Sequence, residues 1–210
     1  MASHLSFLIA NTIRICPTVY AKNEKTVVKK NKVCYTEKEV STLSAAETVI
    51  HPIPPVYTPQ SRVLILGTMP SPRSRQAGFY YAHPQNRFWR VMAAVYEEST
   101  PETEEARRAF LDRHDIALWD VLKSCRIAGA ADSTIFDPVP NPIDMLLSQT
   151  AVRAIFTTGC KAYQLYTKLC APKTQQPAIL LPSTSPANAR CSFSRLTEAY
   201  QVIRRYTEGV

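Results

Sequence analysis

No run of apolar residues in this 210-residue chain approaches the width of a bilayer, so a helical membrane span is not expected. A C-x-x-C pair is missing as well. The six cysteines (Cys16, Cys34, Cys125, Cys160, Cys170 and Cys191) are scattered, and none stands with histidine at zinc-ligand spacing. That pattern argues against a structural zinc and against an iron–sulfur cluster. Thiols dispersed through apolar segments read instead as reduced and buried, the usual state inside a cell; nucleus, mitochondrion and cytoplasm are not distinguished. Acidic side chains are the scarcer charge: 17 Asp and Glu face 25 Lys and Arg, a net charge of +8 and a pI near 9.3.

The positive excess is not confined to one end. Residues 1–60 carry 7 basic and 4 acidic side chains, residues 61–210 carry 18 and 13, and 14 of those 18 are Arg. Guanidinium groups grip phosphate bidentately and stack on bases, which favours nucleic acid as the partner, with an acidic membrane surface second. Residues 1–60 read as a basic extension. Within it, 1–23 holds no acid and one short apolar run, like an organellar presequence or an ordinary disordered tail. The lysine run 22–32 reads as a solvated tail, and the proline-rich 51–59 as an extended lead-in. Residues 61–210 read as a single domain.

In that domain, apolar runs at 63–66, 116–122, 153–158 and 178–181 have the length and composition of buried strands. Helices are predicted from Gln85 through Val95, from Pro101 to about His114, from Pro142 through Leu147 with Asn141 as cap, from Lys161 to Cys170, and from Phe193 to Tyr206. Pro70 and Pro72 are expected to keep the turn after the first strand irregular, and 123–140 reads as a polar loop. Strands separated by helices require crossover connections. The predicted fold is therefore α/β, a three-layer sandwich with a mainly parallel four-stranded central sheet.

Two strand-end loops stand out. The first, 67–89, carries Phe79, Tyr80, Tyr81, His83, Gln85, Asn86 and Arg87 at the carboxyl end of a buried strand, where open α/β sheets place their ligands. The second, 181–188, is rich in hydroxyls and pinned by Pro182 and Pro186; Ser183, Thr184 and Ser185 suit a phosphate or a groove. Adjacent parallel strands bring such loops to one edge.

The strings GTMPS at 67–71, YYAHPQNRFW at 80–89 and LPSTSPAN at 181–188 resemble the motifs of the uracil-DNA glycosylase superfamily. Within it they are most similar to the hypoxanthine (deoxyinosine) DNA glycosylases of family six, and HPQNRFW is also similar to the mismatch-specific uracil glycosylases. The likeness spans roughly residues 61–206. It implies a monofunctional base-excision enzyme acting as a monomer on DNA containing deaminated bases. Such an enzyme flips the base, hydrolyses its N-glycosidic bond and uses neither metal nor cofactor.

Residue by residue, the resemblance is uneven. The third residue of the first motif, an Asp or Asn that places water in much of the superfamily, is Met69 here. Asn86 becomes the expected catalytic group, its carboxamide oxygen orienting water. Tyr81 is expected to stack on the flipped base, with Tyr80 or Phe79 as alternatives. Gly67, Thr68 and Met69 would read the base edge, and His83 would bond loop or substrate. Ser71, Ser183, Thr184, Ser185 and Asn188 would contact the DNA, while Asp132 and Ser133 would complete the pocket. Hypoxanthine is the expected base, with uracil second. A uracil-preferring mismatch glycosylase is one alternative, and a non-catalytic lesion binder, suggested by Met69, is another. A nucleosidase would need a carboxylate cluster, which the sequence lacks.

Overall fold

The structure, a computed structural model, describes residues 27–30, 33–36, 46–128 and 134–208, the first two segments by backbone alone. The presequence-like stretch 1–23, the first part of the lysine run, and Asp132 with Ser133 lie outside the described residues. In chain order the strands are β1 (Val27–Lys30), β2 (Val33–Thr36), β3 (Glu47–Ile50), β4 (Val63–Gly67), β5 (Ile116–Asp120), β6 (Leu122–Ile127), β7 (Ile135–Pro140), β8 (Ala154–Thr158) and β9 (Ala178–Leu181). The helices are α1 (Pro72–Ala77), α2 (Phe88–Tyr96), α3 (Glu104–Arg113), α4 (Ile143–Leu147), α5 (Cys160–Leu169), α6 (Ala171–Thr174) and α7 (Phe193–Glu208).

The chain divides into two units. The smaller, residues 1–47 and 126–136, contains an antiparallel hairpin in which Val27 pairs with Thr36 and Lys30 with Val33. Lys29 and Lys30 are therefore strand residues.

The larger unit, 48–125 and 137–210, is built on a four-stranded sheet in the order β5–β4–β8–β9. Every pairing in it is parallel. Val63, Leu64, Ile65 and Leu66 have no exposed surface, as expected for strands covered on both faces. Helix α7 packs on β4 and against α2, α5 packs on β8 and β9, and α3 packs on β5. The inner face of α7 reads straight from its sequence: Leu196, Tyr200, Ile203 and Thr207 recur at helical spacing and are all buried. Within the same unit, 48–50, 122–125 and 137–140 form a second sheet, in the order β3–β6–β7. No described helix is long and apolar enough to cross a membrane.

Four expectations are corrected. The region 123–140 is not only loop, since it carries most of β6 and all of β7. Its strand signal is masked by Lys123, Ser124 and Arg126, which interrupt the buried Leu122, Cys125 and Ile127. Pro72 does not forbid a helix but opens one, because a first-turn proline has no partner to lose. Asn141 does not cap α4; its Nδ2 donates to the Asp120 carbonyl at 2.9 Å instead. Finally, Cys160 is exposed, although Cys125 and Cys170 are buried.

The lead-in 51–59 is integral to the larger unit. Ile53 and Val56 are buried, and Val56 exchanges backbone bonds with Leu118 at 3.0 and 2.8 Å.

Candidate active site

Parallel register sets the carboxyl ends of the strands side by side. Gly67 pairs with Asp120, Leu66 with Thr157, and Thr158 with Leu181. Both strand-end loops therefore rise from one edge, as the sequence led us to expect. The approach is close at two glycines. A Cβ on Gly67 would lie 2.2 Å from Asp120 Oδ1, and one on Gly159, whose φ is +98°, would lie 3.2 Å from Ser183 Cβ.

The three consecutive aromatics of the first loop separate by burial. Phe79 is sealed in the core against Trp89, with ring centroids 6.1 Å apart. Tyr80 is also buried, and its hydroxyl donates to the carbonyls of Ile53 and Pro54 at 3.3 and 3.0 Å. Tyr81 alone keeps exposed surface. Its backbone is left-handed (φ +53°), which turns the ring away from its two neighbours and onto Phe88, 3.8 Å away and nearly parallel. Its hydroxyl reaches Thr158 Oγ1 at 3.2 Å, and Thr158 in turn donates to the Leu66 carbonyl at 3.4 Å, so the side chain straddles the ends of β4 and β8. Desolvation, and then the charge of Asp120, raise the Tyr81 phenol far above its usual value, so it is neutral at physiological pH.

Asn86 lies where the two loops meet. Its Oδ1 accepts from Phe88 N at 3.0 Å and from the Thr184 hydroxyl at 2.9 Å. A backbone N–H can only donate, so the atom facing it is the oxygen. Both lone pairs of that oxygen are engaged. The end of the amide without a hydrogen-bond partner among the described residues is Nδ2, not the oxygen that sequence reasoning favoured. Next to it, Arg87 N donates to the Thr184 carbonyl at 3.1 Å, and the Arg87 guanidinium donates to the carbonyls of Cys191, Ser185 and Asn188. Arg87 is thus the clamp on the second loop. Thr184 is 1% exposed and faces Asn86, so its hydroxyl is not available to a phosphate. Tyr200, its phenol raised chiefly by burial, donates to the Pro182 carbonyl at 2.9 Å beneath the same loop.

The remaining candidates shape their own loops. Ser71 caps α1, accepting from Ser74 N at 3.2 Å. His83 accepts from Gln85 N through Nδ1 at 3.1 Å. Ser183 Oγ accepts from Ser185 N, Ser185 Oγ from Ala187 N, and Asn188 Nδ2 donates to the Ser183 carbonyl. Thr68 is buried and its carbonyl accepts from Leu122 N at 3.1 Å, while Met69 is half-exposed. No group of three or more potential metal ligands occurs among the described residues.

Sequence reasoning missed two residues. Asp120 is buried at the end of β5, and His51 Nε2 lies 2.8 Å from its Oδ2. An acid inside the apolar run IALWDVL was the available signal. A separate groove of about 310 Å³ lies at the amino end of β9, lined by Tyr163, Thr167, Ala171, Gln175, Gln176, Pro177 and Ala178. It holds no acid or base apart from the Tyr163 phenol, and it is at the other end of the strand from the loops.

Comparison with known proteins bears on the family and the fold. The family pattern of the uracil DNA glycosylase superfamily matches residues 54–204. A hypoxanthine DNA glycosylase of Methanosarcina acetivorans is 34% identical over 153 residues, and its counterpart in Methanosarcina barkeri is 30% identical over 154. Each match covers 72% of this chain and 96% of the relative. A solution NMR structure from Methanosarcina acetivorans, of a protein named for the uracil DNA glycosylases, superposes with a TM-score of 0.65 at 32% identity. That superposition takes in 75% of this chain and 99% of the other. The chain belongs to the uracil DNA glycosylase superfamily.

Proposed function

We infer that this protein is a DNA glycosylase that removes hypoxanthine from deoxyinosine-containing DNA by hydrolysis, leaving an abasic site. The family carries the reaction class, and the two Methanosarcina relatives named for hypoxanthine support the base. The observation within the structure that carries the reading is the fixed amide of Asn86, held from both loops at the carboxyl edge of the sheet. A base must leave the duplex stack before its glycosidic bond can be reached, and Tyr81 is the aromatic with surface left to receive it.

The chemistry follows from what the residues can do. Asn86 cannot remove a proton, and Met69 supplies nothing in its place. An Nδ2 donor positions water without activating it. The C–N bond would therefore break first, with its electron pair leaving on the base. The water that adds to the resulting oxocarbenium ion would give its proton to the departing base or to solvent. Catalysis then rests on positioning and on stabilising separated charge, so a slow enzyme is expected. The excess of arginine supports salt-sensitive binding to the phosphate backbone.

The test is a duplex oligonucleotide carrying one deoxyinosine, incubated with the full chain and then cleaved with alkali at abasic sites. Strand cleavage is expected, together with a loss of about a hundredfold or more in Asn86→Ala. An intact strand after incubation with folded wild-type protein would refute the enzyme. Lesion binding without release would instead mark a non-catalytic binder, the reading that Met69 favours. A parallel uracil duplex measures the second substrate.

A further inference from the structure

The central sheet has two edges, and only one of them is closed. At β5 the outer backbone is met by Val56, which exchanges bonds with Leu118. At β9 no described strand lies alongside. The Leu181 carbonyl accepts from Gly159 N at 2.8 Å, in a register that sets Leu181 beside Thr158. Backbone direction alternates along a strand. Ile179 and Leu181 therefore turn their N–H and C=O groups toward β8, and Ala178 and Leu180 turn theirs outward. None of the described residues bonds those outward groups. The Leu180 side chain beside them is 45% exposed. A strand edge in this state is a template for another extended chain.

The edge runs into the groove at the amino end of β9. Ala178 belongs to both, and Tyr163 and Thr167, one turn apart on α5, line the groove from the helix. Gln176 lines it too, and its Oε1 is buried without a hydrogen-bond partner. A peptide N–H is the kind of donor that relieves such an oxygen. Pro177 and Pro182 bracket the four residues of β9 and have no N–H to offer. The template is thus short, which suits one brief segment better than a second sheet.

Charge selects among extended segments. From Met145 to Thr197 the chain has no acidic residue and six basic ones, Arg153, Lys161, Lys168, Lys173, Arg190 and Arg195. On α5, α6 and β9, and on α4 where it packs against α6, three lysines face one acid, Asp144. Lys168 and Lys173 are exposed. A second copy of this chain would bring its own lysines to the same edge. Duplex DNA has no row of N–H and C=O groups to pair with a strand, and the groove lies at the opposite end of β9 from the two loops. An acidic peptide satisfies the edge, the groove and the charge together.

We propose that the free edge of β9 and the adjoining groove bind a short acidic segment of a partner protein as an added strand. The assignment stands apart from the glycosylase reading.

The probe is a fluorescein-labelled synthetic peptide of alternating glutamate and valine, about six residues long so that it spans β9. It is titrated with the full chain and followed by fluorescence anisotropy. Saturable binding is expected. It should weaken about tenfold when lysine replaces glutamate in the peptide, and about as much in the Lys168→Glu, Lys173→Glu double variant. Leu180→Pro deletes one outward N–H where an edge strand tolerates proline, and it should also weaken binding about tenfold. Methylating every backbone nitrogen of the peptide asks the same question of the unaltered protein, which decides the matter if Leu180→Pro unfolds. No binding by the wild-type chain, equal binding of the glutamate and lysine peptides, or equal binding of the methylated peptide would each overturn the proposal. Displacement of the peptide by an undamaged duplex would overturn it in favour of nucleic acid. Sedimentation of the chain as a dimer that Leu180→Pro splits would overturn it in favour of a second copy.

Discussion

Gly67→Ala should destabilise the protein, and the sign of its effect should invert when Asp120 is also replaced. The added methyl would lie 2.2 Å from Asp120 Oδ1, far inside van der Waals contact. To clear it the carboxylate must retreat by about 1 Å, which stretches or breaks its 2.8 Å bond from His51. Overpacking of this kind costs about 1–3 kcal/mol, and weakening a buried pair adds to it, so a loss of about 2–4 kcal/mol is expected. In an Asp120→Ala background the obstacle is gone. The Tyr81 hydroxyl, 3.6 Å from the methyl, is an ordinary neighbour. Gly67 has no left-handed backbone to protect. Alanine is favoured over glycine in a strand interior by about 0.5–1 kcal/mol, so Gly67→Ala should then stabilise. Urea unfolding of the four proteins in the cycle gives the coupling directly, provided the denaturant slopes agree. An equal cost for Gly67→Ala in both backgrounds would show that the carboxylate is not what excludes a side chain at position 67.

Two further outcomes follow from the clamp and from the buried phenols. Arg87→Lys should fail to replace Arg87, because a point charge cannot serve three carbonyls as a planar fork does. Both Arg87→Lys and Arg87→Ala should raise the KM for duplex substrate more than they lower kcat, and each kcal/mol lost should lower the melting temperature by about 2–4 °C in calorimetry. Burial pushes the Tyr96 phenol from 10.0 up to about 12, and Tyr80, Tyr81 and Tyr200 are raised in the same direction by the same cause. The folded state favours the neutral phenols, so their contribution is complete below the unfolded value. It should drain away as pH climbs from about 10 to about 12. Urea midpoints that stay flat over that interval, with tyrosinate absorbance appearing before unfolding, would contradict it.

The central sheet was legible because its strands are covered on both faces and so appear as unbroken apolar runs. The amphipathic faces of α2 and α7 were legible by their period. β6 and β7 were not, because Lys123, Ser124, Arg126 and Asp137 interrupt the apolar pattern, and α1 was hidden behind a proline that suits a helix start. At the site, the motif strings placed Asn86 and both loops correctly relative to each other. They could not say which end of the amide is engaged, since that depends on Thr184, 98 residues away. They could not rank three adjacent aromatics either, because the left-handed turn at Tyr81 leaves no mark in composition. Asp120 and His51 are 69 residues apart, and only the folded chain makes them a pair.

Asn86 and Arg87 are consecutive, and between them they hold Thr184, Ser185, Asn188 and Cys191. Such stitching ties the motion of one loop to that of the other. Amide exchange at Arg87 and Phe88 should keep pace with that at the serine-rich rim, since releasing either side releases its counterpart. Grafting a longer rim from a relative would for the same reason require the matching partner to travel with it.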